Sequence, residues 1–276
     1  MENNNSFINY NALLDALFMQ WKHSYNKDDR EKFCEDGLML KPDKSLNVDK
    51  LWEEAPRRVM FLLKDCPDGD SYDTRTMLTN PTNGKINQNL GNQFTTYLAK
   101  ILYGLLKQEA DKRINDKYVN AHMDEVRDAW NTIPFAFIET KKLAGKPICD
   151  CKDLKHALER DKMFLKKEID ILRPNIIVCY DGSGFMFNFI TKEIFGTPDW
   201  EYNHQYPFWD DEKQEEYVDP NVTMKCRSKY YKQMNVVVID SYHPSYIKYH
   251  RIDDWEFQER VYCPFSAFLK QCDHNF

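Results

Sequence analysis

The stretch Leu172-Arg173-Pro174-Asn175-Ile176-Ile177-Val178-Cys179 decides the architecture, because it joins the end of a helix to a buried strand with almost nothing between them. Upstream, Leu154, Ala157, Leu158, Leu165, Ile169 and Leu172 recur at helical spacing, and Pro174 drives the residue before it out of the helical region. Downstream, Ile176 to Cys179 are apolar and mostly β-branched, as a strand covered on both faces requires. Residues 59–63, 135–138 and 236–239 read the same way. Two more helical stripes run through Leu13, Leu14, Leu17, Phe18 and Trp21, and through Phe94, Leu98, Ile101, Leu102 and Leu105. Strand and helix alternate, which predicts a three-layer α/β/α domain with a four-stranded parallel sheet.

The 276 residues, 42% of them hydrophobic, suffice for one domain with its own core. Residues 1–50 are expected to form a helical cap. Residues 196–232, rich in charge and aromatics and holding Pro198, Pro207 and Pro220, are expected to form an inserted arm. The apolar runs are strand-sized and residues 1–5 lack the basic region and apolar stretch of a signal peptide, so no membrane passage is expected. Eight scattered cysteines then point to reduced thiols in a cytoplasm. Cys149-Asp150-Cys151 with His156 lacks a second matching pair, so no metal or other cofactor is expected.

Net charge is −6, from 38 basic and 44 acidic residues, which argues against a protein that coats nucleic acid unselectively. Between Met224 and Ile252, however, Lys225, Arg227, Lys229, Lys232, Lys248 and Arg251 face only Asp240, with tyrosines interleaved. Such a mixture suits phosphates and stacked bases, or else a solvated charged face.

In a doubly covered parallel sheet, ligands sit beyond the carboxyl ends of the strands. Four loops therefore hold the candidate residues: Lys64 to Asp70, Glu139 to Lys142, Tyr180 to Gly184, and Asp240 to Tyr246. Asp181-Gly182-Ser183-Gly184 lacks dinucleotide-binding spacing and reads as a tight turn opening a helix.

Lys64-Asp65-Cys66-Pro67 resembles the first active-site loop of the uracil-DNA glycosylase superfamily, and His243-Pro244-Ser245 its last. Leu172 to Cys179, Phe137-Ile138-Glu139-Thr140-Lys141-Lys142 and Gly91-Asn92-Gln93-Phe94 are similar to three further segments of that superfamily, in the same order. The resemblance implies a hydrolase that removes a modified or deaminated base from DNA. Asp65 would orient water, His243 would stabilise the departing base, and Phe94 would stack on it. Glu139 would read its edge with Cys66 nearby, while Ser245, Lys248 and Arg251 would hold phosphate.

The chemistry supports such roles, because breaking an N-glycosidic bond creates a cationic sugar and an anionic base, which need a carboxylate and a donor. The structural alternatives are that His243 and Asp65 cap their own loops and that Phe94 opens a helical stripe. Glu139 stands where the superfamily has an asparagine. Ionised, it offers only acceptors and would repel a uracil carbonyl, making uracil excision weak; protonated by burial, it would imitate the amide. Lys64 and Cys66 also depart from the family pattern. A catalytically diverged module that binds nucleic acid or a nucleotide, and a nucleoside hydrolase, are the other two readings.

Overall fold

In chain order the elements are α1 (Tyr10–His23), α2 (Lys27–Arg30), β1 (Gly37–Leu38), α3 (Val48–Glu54), β2 (Val59–Asp65), α4 (Gln93–Lys107), α5 (Asp116–Ala121), α6 (Met123–Thr132) and β3 (Ala136–Lys141). There follow α7 (Cys151–Leu172), β4 (Ile176–Tyr180), α8 (Phe185–Phe189), β5 (Trp200–Gln205), β6 (Phe208–Asp210), β7 (Glu215–Tyr217), β8 (Lys225–Tyr231), β9 (Val236–Ser241) and α9 (Asp254–Cys272). The structure, a computed structural model, describes residues 7–65, 71–79, 93–145, 150–210, 213, 215–244 and 253–272. Two compact units share the chain: Met1–Gly91 with Arg127–Ile177, and Asn92–Val126 with Val178–Phe276. Among the described residues no helix is long and apolar enough to cross a membrane.

The architecture is α/β, as expected, but among the described residues the sheet is mixed and has seven strands, ordered β1-β3-β2-β4-β9-β8-β5, in place of the expected four parallel ones. The four expected strands are present as β2, β3, β4 and β9. The additions are β1, antiparallel to β3, and β8 and β5, which extend antiparallel from β9. Both β5 and β8 come from the stretch expected as an inserted arm. In β8 the buried Cys226, Ser228 and Tyr230 alternate with less buried Lys225, Arg227 and Lys229. One face is covered and the other is not, so the segment has period two but no apolar run.

In the first unit, local chemistry sets the strand starts. Helix α7 closes on Arg173 in the left-handed region at φ 46°, whose N–H donates to Ile169 O, and Pro174 follows. The Asn175 side chain then accepts from Arg58 N at 2.7 Å and donates to Pro56 O at 2.6 Å, aligning the openings of β4 and β2. Helix α1 starts at Asn9, whose side chain accepts from Ala12 N, and buries Tyr10, Leu14, Leu17, Phe18 and Trp21.

Between α1, α7 and β3 lies a fully buried ammonium. Lys142 Nζ donates to Asp36 Oδ1 and Oδ2, both at 2.6 Å, and to Glu168 Oε1 at 2.9 Å. Phe18 and Trp21 present ring faces to it at 5.3 and 5.1 Å. Burial, and then the Asp36 carboxylate, push the Glu168 pKa well above the usual carboxyl range, against the opposing pull of Lys142.

In the second unit α9 packs on β8, β9 and α4. A Cβ added to Gly104 would fall 2.3 Å from the Tyr262 ring, so α4 and α9 approach closely there, and the Tyr262 hydroxyl donates to Lys100 O at 2.7 Å. The turn expected at Asp181 to Gly184 does open a helix: the Asp181 side chain accepts from Gly184 N at 2.7 Å and from Met186 N, with Gly182 and Gly184 at φ 70° and 72°.

Two substitutions should separate the roles within the buried triad. Lys142→Met leaves Asp36 without its counter-ion and is expected to cost about 3–5 kcal/mol in urea denaturation. Glu168→Gln replaces a carboxyl already biased toward its neutral form and should cost no more than about 1 kcal/mol. Equal losses would contradict the protonation argued for Glu168.

Candidate functional site

Strands β2 and β3 run parallel, with Leu63 beside Glu139 and Asp65 beside Lys141. This register delivers their carboxyl-terminal side chains together. Lys141 Nζ lies 3.2 Å from Asp65 Oδ2, giving the carboxylate a counter-charge. The Thr140 hydroxyl donates to Leu63 O at 2.9 Å and Lys64 O at 3.0 Å, fixing the end of β2. A Cβ on Gly145 would fall 2.2 Å from Asp65 Oδ2 and 3.0 Å from Lys141 Nζ. The main chain therefore passes the ion pair at a distance that glycine alone allows.

Glu139 is 3% exposed. Its N–H donates to Asp36 Oδ2 at 2.7 Å, so its backbone is anchored to the same carboxylate that holds Lys142. Burial raises its pKa well above the carboxyl range, and the negative charges of Asp36 and Asp65 add to this, while Lys142 opposes it. The neutral acid is favoured. It carries one O–H donor and one carbonyl acceptor, as an amide does. Its Oε2 has no hydrogen-bond partner among the described residues. A buried polar atom left in that state is one that a ligand can satisfy.

The second unit holds the other two principal candidates. The rings of Phe94, in the first turn of α4, and His243, beyond β9, lie 5.7 Å apart at 45°. Ahead of His243, the buried Asp240 accepts through Oδ2 from Arg227 Nη2 and from Arg260 Nη2, each at 2.6 Å. The Arg260 guanidinium lies 3.9 Å from the centre of the Tyr242 ring.

The sequence-derived candidates thus divide. Asp65 and Glu139 meet at neighbouring strand ends of the first unit, and Phe94 and His243 meet in the second. Cys66, Ser245, Lys248 and Arg251 lie outside the described residues. The expected phosphate-binding patch is only partly available. Arg227 is held by Asp240, against Gly184 and over the Phe187 ring at 5.0 Å, and Lys229 lies 3.7 Å from Glu201. Lys225 and Lys232 are exposed.

Sequence reasoning gave no role to Lys141, although it stands two residues after Glu139, or to Lys142, Asp36 and Glu168. Its pairing with Asp65 depends on strand register, and register has no signature in a single strand. Arg260 sits in a helix and had no local signal at all.

Among the described residues, no group of three or more His, Cys, Asp or Glu is arranged to hold a metal ion. A scan against protein-family models finds no match to the chain, and a search of curated proteins also finds none.

The raised Glu139 pKa has a thermodynamic signature. A carboxyl whose folded pKa exceeds its ordinary value of 4.5 contributes stability fully below that value and loses it as pH rises toward the folded pKa. The loss is about 1.4 kcal/mol per pH unit. Glu139→Gln removes this titration. Urea denaturation at a series of pH values above 4.5 should therefore show the variant gaining on the wild type with rising pH, at about that slope, until the folded pKa is reached. A difference independent of pH would show that Glu139 titrates normally.

Proposed function

We propose that the chain is an N-glycosyl hydrolase of the uracil-DNA glycosylase kind, acting on a modified or deaminated base in DNA. The observation that carries this reading is the pair Glu139 and Asp65: a carboxyl biased toward its neutral form and an ion-paired carboxylate at the ends of adjacent parallel strands. Two carboxyls in environments that differentiate them are the usual mark of divided catalytic roles.

Asp65 orients the water that adds to the sugar anomeric carbon. The N-glycosidic bond breaks as its electron pair leaves with the base, the water oxygen bonds to the anomeric carbon, and the proton the water loses neutralises the departing anion. Neutral Glu139 donates to a carbonyl of the base and accepts from the adjacent ring N–H. Such an edge is found on uracil, so the poor uracil excision expected of an ionised Glu139 does not follow for the protonated acid. His243 and Phe94 keep the roles that the resemblance implies, as donor to the leaving base and as stacking surface. The same reading puts the chain in the reducing cytoplasm.

One observation favours the diverged binding module instead. Lys141 already occupies Asp65, and a carboxylate engaged in this way has less freedom to direct water.

Oligonucleotides that each carry one altered base, scored for alkali-sensitive scission, separate the two readings. Scission at one substrate is expected, with Asp65→Asn losing about 10²- to 10⁴-fold. Binding without scission would favour the module. The rate should fall as pH rises through the Glu139 titration, and Glu139→Gln should flatten that limb. A pH profile unchanged in Glu139→Gln would remove Glu139 from base reading.

The close passage at Gly145 offers an independent check. Gly145→Ala must displace Asp65 or Lys141, and a shift of about 1 Å at a catalytic group costs on the order of a hundredfold. An Ala variant that retains wild-type scission would disconnect the ion pair from the chemistry.

A further inference from the structure

The second unit also contains two thiols that the proposed hydrolysis does not use. Cys226 on β8 and Cys263 on α9 lie in one apolar cluster with Tyr206 and Met224, and Tyr202 packs against it. Cys226 is fully buried and Cys263 is 5% exposed. The Cys226 thiol donates a hydrogen bond to the Cys263 sulfur, and the Tyr202 hydroxyl lies 3.5 Å from that same sulfur. These thiols are therefore in contact across the packing of a strand on a helix.

We propose that Cys226 and Cys263 form a reversible disulfide by exchange with a small-molecule disulfide, locking β8 to α9. The inference is independent of the hydrolase reading. The pair is asymmetric in the way exchange requires. The hydrogen bond from Cys226, the positive charge of Arg113 and the Tyr202 hydroxyl lower the Cys263 pKa against the effect of burial, whereas donation to Cys263 raises that of Cys226. Cys263 is thus the attacking thiol and Cys226 the resolving one.

Written for oxidised glutathione, the Cys263 thiolate attacks one glutathione sulfur, forming a mixed disulfide and expelling one glutathione thiolate. Cys226 loses its proton and attacks the Cys263 sulfur, expelling the second. The two protein thiols are oxidised, one small disulfide is reduced, and the two protons pass to the two released glutathiones.

The bond would join elements that also hold Asp240. Arg227 follows Cys226 directly, Arg260 stands three residues before Cys263 on α9, and both donate to Asp240. Oxidation would thus stiffen the segment that leads from β9 to His243.

The test uses the full chain, equilibrated at graded ratios of oxidised to reduced glutathione, quenched with N-ethylmaleimide, digested and read by mass spectrometry. A peptide pair joined through Cys226 and Cys263 is expected, reversible by dithiothreitol. The unfolding midpoint of the oxidised form should rise by about 5–10 °C. In Cys226→Ser, glutathione should remain attached to Cys263. Complete alkylation of both thiols at every ratio overturns the proposal, as does a joined peptide that forms only when the chain is first unfolded in urea. Because the decisive readout is on the wild type, misfolding of the Ser variant leaves the test intact.

Discussion

An ammonium group held charged away from water needs compensating negative charge, and at Lys142 that requirement ties together distant parts of the first unit. Asp36 comes from the segment before β1, Glu168 from the last turns of α7, and Lys142 itself follows β3. Pairing of this kind is weak evidence for net stability, because desolvation consumes most of the Coulombic gain. Its effect is on register and placement. The three hydrogen bonds of Lys142 tie α7, through Glu168, to the residue that follows β3.

The same constraint reaches Glu139. Asp36, Glu168 and Glu139 are buried carboxyls near one buried cation, and a low-dielectric interior does not sustain three negative charges against one positive. Asp36 accepts twice from Lys142 and once from the Glu139 N–H. Glu168 and Glu139 are the groups left to hold protons. The structural ion pair and the hydrogen-bonding character of Glu139 are therefore two results of one charge balance: a stronger positive charge in this interior would ionise Glu139 and turn a donor into a pure acceptor.

The parts of the fold legible in the sequence are those set by neighbours along the chain. The apolar runs of β2, β3, β4 and β9, the helical stripes of α1, α4 and α7, and the Arg173-Pro174 stop are all local signals, and each lies within a few residues of its expected place. Strands β5 and β8 escaped because pairing on a half-exposed sheet leaves alternation among charges in place of an apolar run. The candidates Asp65, Glu139 and His243 were legible from their position after strands. Lys141 beside Asp65, Asp36 at the Glu139 N–H, and Arg260 at Asp240 and Tyr242 were not, because each reaches its contact through strand register or helix docking. The protonation of Glu139 depends on charges 74 and 103 residues away in sequence, at Asp65 and Asp36.

Asp240 presents the opposite stoichiometry to Lys142, one buried carboxylate receiving two guanidinium groups on a single oxygen. Successive side chains of a strand point to opposite faces, so holding Asp240 alone would fix one side of the chain leaving β9. Arg260 also covers the ring of Tyr242, two residues on. A single buried arginine on α9 thus engages the residues at both sides of Ser241 and immediately ahead of His243. Stabilising an anion as it forms requires a donor already in place, because reorganising a mobile one costs what its hydrogen bond would supply. If His243 has the role proposed for it, Arg260 contributes by holding Asp240 and Tyr242, the residues that lead up to it, through a contact that the tripeptide His243-Pro244-Ser245 does not contain.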